Sequence, residues 1–221
     1  MRIALLGGTG DIGEGLALRW AFHTDHEVII GSREAERARS KAEEYETELS
    51  SRGTDLTIEG YENAEAAAQG DVVVVAVPPW HVADTVEAVA DELGEALLVS
   101  PAVGMNHDEA GAHYAPPPAG SVTALVAEAA PEEVPVVGGF HNLAADRLAN
   151  LDVNLDLDTL VVGDDVDARE TVIALAEGIE GLRGLHAGPL ENAAEVECVT
   201  PLVINIARYN DGMHDVGVTF E

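Results

Sequence analysis

Residues 1–20 read MRIALLGGTGDIGEGLALRW: an apolar run breaks into Gly7-Gly8-Thr9-Gly10-Asp11-Ile12-Gly13, and a helix-like pattern follows. Gly8, Gly10 and Gly13 hold the spacing G-x-G-x-x-G between a strand and a helix, the context that a dinucleotide-binding loop requires. The first glycine allows a tight turn, the second lets backbone approach a pyrophosphate, and the third lets helix pack on strand. Ile12 begins the helix, whose free N–H groups and positive dipole end suit phosphate oxygens.

Outward from this turn, short β-branched runs alternate with helical stretches, the pattern of a parallel sheet with crossover helices. Strands are expected at Ile3 to Leu6, Glu27 to Ile30, Leu56 to Glu59, Val72 to Val77, Ala96 to Val99 and Val134 to Gly138. The run Val72 to Val77 is apolar on both faces and belongs at the centre of the sheet. Helices are expected at Ile12 to His23, Ala35 to Leu49, Ala64 to Gln69 and His81 to Leu93, all rich in Ala, Glu and Leu. The fold class is α/β: a Rossmann-like, doubly wound parallel sheet with a small C-terminal α/β domain.

After Pro101, the stretch PAVGMNHDEAGAHYAPPPAGS carries a Pro triplet and several Gly, and reads as a long excursion rather than a regular element. Further on come a short strand at Thr159 to Val162 and a helix at Ala168 to Ile179. A long helix, Glu191 to Tyr209, follows with Pro201 inside it. The expected division is therefore a nucleotide-binding domain at 1–138 and a smaller domain at 139–221.

Composition narrows the function classes. Forty-one acidic residues against eleven basic ones give a formal net charge of -30, which makes nucleic acid an unsuitable partner. Lys41 is the one lysine. So acidic and lysine-poor a chain is typical of salt-in halophiles, where carboxylates keep the surface hydrated and salt screens their repulsion. The single Cys198 excludes an internal disulfide, and no signal peptide or membrane-length apolar run is present, so a reducing cytoplasm is expected. The histidines are scattered, and the pair His23 and His26 has no supporting Cys or His, so no metal site is expected.

The nucleotide is chosen some twenty residues past the glycines, where an NAD site would place a carboxylate for the ribose 2′-hydroxyl. Here the residues are Gly31-Ser32-Arg33, and Arg33, Arg37, Arg39 and Lys41 gather four of the eleven cations within residues 33–41. A ribose 2′-phosphate accounts for that cluster, with Ser32 and Arg33 as hydrogen-bond donors and Arg37 as a second cation. The competing account is a solvated helix face ion-paired to Glu34, Glu36 and Glu43. NADP(H) is the expected nucleotide. The segments Val77-Pro78-Pro79-Trp80-His81 and Ser100-Pro101-Ala102-Val103 leave the carboxyl ends of central strands and should line the cleft where the nicotinamide lies.

Several blocks of the chain, among them MRIALLGGTGDIGEGLALRW, IIGSREAERARSKAEEY, HNLAADRLANLD and AGPLENAAEVECVTPLVINIARYN, resemble the archaeal NADPH-dependent reductases of coenzyme F420, the 8-hydroxy-5-deazaflavin. The resemblance spans nearly the whole chain and implies a homodimer with reversible hydride exchange between nicotinamide C4 and deazaflavin C5. It implies a pyrophosphate loop at Thr9, Gly10, Asp11 and Ile12 and a 2′-phosphate site at Ser32, Arg33 and Arg37. Nicotinamide contacts are implied at Val77, Pro78, His81, Ala102, Val103 and Ala145. His141, Leu143 and Val216 then approach the deazaflavin, His141 either as a hydrogen-bond donor to the ring or as a packed polar residue. The chain departs from the family pattern at Asn142, Ala144 and Pro79-Trp80. Rival accounts are an NADP-dependent reductase of a small imine or carbonyl, such as a pyrroline carboxylate, and an NADP(H)-sensing protein without an acceptor pocket.

Overall fold

The computed structural model describes residues 1–221. Eight strands form one sheet, and five of them build its Rossmann half: β1 (Arg2–Leu6), β2 (Glu27–Ser32), β3 (Glu59–Glu62), β4 (Val72–Val75) and β5 (Leu97–Ser100). A hairpin of β6 (Met105–Asp108) and β7 (Gly111–Tyr114) stands apart. The main sheet resumes with β8 (Val136–Gly138), β9 (Leu157–Gly163) and β10 (Leu182–His186). Its order is β10-β9-β8-β5-β4-β1-β2-β3, parallel throughout except for the antiparallel pair β8 and β9. The order reverses between β1 and β4, which opens a crevice at their carboxyl ends.

The helices are α1 (Asp11–His23), α2 (Ala35–Ser51), α3 (Asn63–Ala67), α4 (Val82–Val89), α5 (Val122–Ala129), α6 (Ala145–Ala149), α7 (Val166–Glu177), α8 (Ala193–Glu197) and α9 (Val199–Tyr209). None is long and apolar enough to cross a membrane. Alternate residues of the central strands feed two cores. Ile3, Leu5, Val72 and Val74 join the helices on one face, whereas Ala4, Leu6, Val73 and Val75 join those on the other. Both faces of the sheet are thus covered, as a parallel sheet requires.

The division expected at residue 138 falls inside this architecture. β9 and β10 continue the same sheet, and Phe140, Leu148 and Val161 share one continuous core with Ile3 and Leu16. Trp20 of α1 joins the halves, meeting Phe140 edge to face at 5.5 Å and donating through Nε1 to the Leu175 carbonyl at 2.9 Å. Arg19 is buried beside it, and its guanidinium bonds the carbonyls of Leu148 (2.8 Å), Asn150 (2.7 Å) and Val153 (2.9 Å). A cation thereby closes the carbonyl end of α6.

Four expectations need correction. The excursion after Pro101 contains the β6–β7 hairpin, because the side chain of Asn205 pairs with both backbone groups of Ala112 at 2.8 Å and docks the hairpin on α9, and its last residue, Ser121, caps the unforeseen α5. The third strand lies at Glu59–Glu62, three residues beyond its expected start, where Gly60 lets it pass close over the backbone of Ala38 and Arg39. β4 stops at Val75, and Ala76 and Val77 turn toward the crevice. The C-terminal helix breaks at Cys198, since Pro201 has no N–H to give the carbonyl of Glu197.

Candidate active site

The β1–α1 turn is built by steric demand at its glycines. Gly7, rather than the Gly8 expected to make the turn, takes φ 76°, and a Cβ there would fall 2.6 Å from Val77 Cγ1. Gly13 packs so closely that a Cβ would lie 2.7 Å from the Cα of Gly8. At Gly10 a Cβ would meet only the Gly7 carbonyl, at 3.5 Å, so this position is open on its outer side. Gly10 is also the N-cap of α1 and offers no side-chain cap, which leaves the first N–H groups of a 13-residue helix available to an anion. Buried Tyr45 pins the loop from behind by donating to the Gly8 carbonyl at 2.8 Å.

This turn opens onto a cavity of about 640 Å³. Thr9, Gly10, Ser32, Arg33 and Arg37 line one end, and Val77, Pro78 and His81 line the other. Ser32 is buried at the end of β2, and Arg33 and Arg37 follow on the next loop and the first turn of α2. The ion pairs of that helix are those of Lys41, which reaches Glu44 at 2.6 Å and Glu14 at 3.7 Å, and of Glu48, which meets Arg52 at 2.8 Å. Arg33 and Arg37 form no ion pair and face the cavity, so the account of a self-neutralised helix face does not hold for them. Trp80, in a segment expected to line the cleft, lines the cavity too, as do Asn63 and Thr85, which carry no spacing signal that would have marked them. The Oδ1 of Asn63 is buried without a hydrogen-bond partner, an acceptor left for an incoming donor.

A second cavity, of about 340 Å³, lies where α6, α9 and the C-terminal tail meet. Leu143, Ala145, Val203, Ile204, Ala207 and Val216 make it largely apolar, and Asn142, Thr200 and Asp215 supply its polar atoms. Of the residues expected near an acceptor, the structure brings Leu143 and Val216 together here and leaves His141 outside the lining, while Ala145, expected at the nicotinamide, lines this cavity and not the first. Ala102 and Val103 follow β5 and sit half-buried and buried respectively, lining neither cavity.

His141 is enclosed. Its ring packs over Gly138, where a Cβ would lie 3.0 Å from His141 Cε1, and Nε2 is 3.3 Å from the Thr123 hydroxyl. Thr123 in turn donates to Glu197 Oε1 at 3.0 Å. The fully buried Glu197 also accepts from the N–H groups of Val122 and Thr123 at the start of α5, and from the Tyr114 hydroxyl. Burial pushes the Glu197 carboxyl up from its ordinary range, and these donors pull against it. Because Thr123 has given its one proton to Glu197, it can only accept from His141 Nε2. The free nitrogen, Nδ1, then keeps a lone pair, and it is buried without a partner. Burial pushes the imidazole down to about 3, so the ring is neutral. The nitrogen left unpartnered is thus an acceptor, and of the two roles the sequence left open the buried ring has the geometry of the packed polar residue. Glu197 and Thr123 were invisible to sequence reasoning, since 74 residues separate them.

Comparison with known proteins gives one consistent result. Residues 2–104 match the family model described as NADP oxidoreductase, coenzyme F420-dependent. The chain is 38% identical over 208 residues to the F420-dependent NADP reductase of Methanocaldococcus jannaschii, covering 93% of this chain and 92% of that protein. It is 40% identical over 209 residues to the enzyme of the same name from Methanothermobacter thermautotrophicus, covering 93% and 89%. Among solved structures, a putative F420-dependent NADP reductase from Arthrobacter sp. FB24 superposes with a TM-score of 0.76 at 23% identity, covering 93% of each chain. An NADP-bound pyrroline carboxylate reductase from Plasmodium falciparum superposes with a TM-score of 0.55 at 14% identity, covering 84% of this chain and 57% of that one, a likeness of fold alone.

Proposed function

Because the chain belongs to the family of F420-dependent NADP reductases, and so transfers a hydride between NADP(H) and coenzyme F420, we propose that its two cavities hold the two partners of that exchange. The observation that carries this reading is the pairing of an uncapped helix end and two un-neutralised arginines in one cavity with an apolar slot in the other. Thr9, Gly10, Asp11 and Ile12 hold the pyrophosphate on the start of α1, with Gly8 and Gly13 setting the approach. Ser32, Arg33 and Arg37 take the 2′-phosphate, Arg33 and Arg37 with charge-assisted hydrogen bonds. Val77, Pro78 and His81 flank the nicotinamide within the first cavity, and Ala145 faces it from the apolar slot; Ala102 and Val103 line neither cavity and are assigned to the nicotinamide by the family resemblance alone.

Bound NADPH supplies the hydride from nicotinamide C4, which the deazaflavin accepts at C5. The protein's contribution is to orient two rings and exclude water, with no covalent nucleophile. Leu143 and Val216 bound the slot for the deazaflavin, and its largely apolar lining suits a flat tricyclic ring better than a small polar imine. His141 serves by place: its ring is locked neutral, and its carbonyl holds the Thr200 hydroxyl, 2.8 Å away, at the edge of the slot. The same reading makes the protein a cytoplasmic homodimer of a salt-accumulating archaeon.

Mixing the protein with NADPH and F420 in molar salt and following loss of the oxidised deazaflavin absorbance tests the assignment of the partners. Arg33→Ala with Arg37→Ala tests the nucleotide half. The double variant should lose NADP(H) affinity by roughly a hundredfold or more, the effect of removing two charge-assisted hydrogen-bonding groups, while NAD(H) affinity stays unchanged. Equal losses for both nucleotides would show that the arginines serve the fold.

A further inference from the structure

After α9 the chain turns back at Asp215, whose φ is 50°, and residues 216–220 run as a strap beside the start of β9. Backbone bonds hold its far end: the N–H of Asp158 donates to the Val218 carbonyl at 2.8 Å, and the N–H of Phe220 donates to Asp158 Oδ2 at 2.6 Å. The guanidinium of Arg183 meets the same carboxylate with two bonds of 2.7 Å and also bonds the Phe220 carbonyl at 2.5 Å. Asp158 is 1% exposed, so its charge is compensated by these donors and by little else. Gly217 presses on Leu157, where a Cβ would come within 2.4 Å of Leu157 Cδ2. At the near end Arg147 donates to the carbonyls of Leu155, at 2.6 Å, and Asp215, at 3.4 Å. Val216, between these anchors, is a wall of the apolar slot. The carbonyl of Asp158 also accepts from Asn142 Nδ2 at 2.7 Å, and Asn142 lines the slot as well.

We propose that Asp158 and Arg183 are positioning residues for the acceptor site: lining neither cavity, they clamp the C-terminal strap so that Val216 closes the slot around the deazaflavin. This rests on the reading that the slot takes F420. Asp158 is the common tie, its side chain and N–H fixing the strap and its C=O fixing Asn142. The nucleotide cavity shares no residue with this clamp.

The test uses the full-length chain in molar salt with two variants that loosen the strap differently. Arg183→Ala removes the bidentate partner, and deletion of residues 219–221 removes the Phe220 bonds while leaving the Arg183–Asp158 pair intact. Each should raise KM for F420, and the Kd for F420 measured by fluorescence without NADPH, about tenfold, with kcat and KM for NADPH changed by less than about twofold. Amide exchange at Asp158, whose N–H donates to the Val218 carbonyl, should quicken in both, and Arg183→Lys should recover part of the F420 affinity. If F420 Kd is unchanged in both variants, or NADPH affinity falls in parallel, the clamp serves the fold and the proposal is overturned. Val216→Trp separates this from failure of the underlying reading. It fills the slot and should abolish F420 binding; if it does not, the slot is not the acceptor site.

Discussion

His141 shows how a single residue's chemistry is decided by groups that sequence cannot bring together. The histidine itself was legible as a site candidate, but its state follows from a chain of donors running from α5 through Thr123 to Glu197. A ring that stays neutral down to about 3 has a stability signature. The unfolded chain binds a proton at the ordinary value of 6.5 and the native chain does not, so stability is whole above 6.5. It falls as pH drops from there toward 3, by up to about 1.4 kcal/mol per unit from this residue. Urea midpoints of the wild type and His141→Asn in molar salt, taken at intervals from neutral pH down toward pH 4, check this. The wild type should lose stability more steeply, so that the difference between the two narrows or reverses on acidification. Parallel curves would show that the ring titrates normally in the native state. By contrast, the roles suggested for Ser32, Arg33 and Arg37 needed no such network. A cluster of cations in a chain of net charge -30 stands out at the level of spacing alone, and the structure had only to show that Arg33 and Arg37 have no acidic partner.

At the scale of elements, legibility followed locality. The β1–α1–β2 unit was readable because its glycines, its apolar strand and its helix lie within 32 residues. The β6–β7 hairpin was not, because Met105–Asp108 has no apolar alternation and owes its place to Asn205, 93 residues away from Ala112. β10 was missed for a similar reason: LRGLH is short and mixed, and becomes a strand by pairing with β9. The contact of α1 with α6 allows a quantitative check. In a free helix, replacing Gly15 by alanine would stabilise by roughly 0.5–1 kcal/mol. Here the added Cβ would lie 2.5 Å from Leu148 Cβ and 3.2 Å from the Ala149 nitrogen, so overpacking of about 1–3 kcal/mol should win. Gly15→Ala is expected to lower the urea midpoint and to weaken F420 binding more than NADPH binding, since Leu148 belongs to the helix that begins with Ala145 of the slot. An unchanged or higher midpoint would mean that α6 shifts without cost.

For the whole molecule, the charge and the outer face of α9 pull in opposite directions. A chain with 41 acidic residues repels its copies at low salt, yet α9 exposes Leu202, Ile206 and Tyr209 at positions i, i+4 and i+7, with Tyr209 64% exposed. An apolar stripe of this kind on a surface otherwise so acidic is best explained by a second copy of the chain, joined through an isologous contact that salt strengthens by screening. The inner side of the same helix carries Val203, Ile204 and Ala207 into the acceptor slot, so assembly and acceptor binding share one element. Leu202→Glu with Ile206→Glu should therefore give a monomer by sedimentation at micromolar concentration in molar salt, where the proposed dimer predicts a two-chain species for the wild type. Both substituted side chains are at least one-third exposed, so the monomer should keep its fold and its NADPH affinity. Its F420 affinity should fall, because α9 then lacks the support that holds its inner face against Leu143 and Val216. A wild type that sediments as a monomer would overturn the dimer, and a monomeric variant with unaltered F420 binding would show that the slot is complete within one chain.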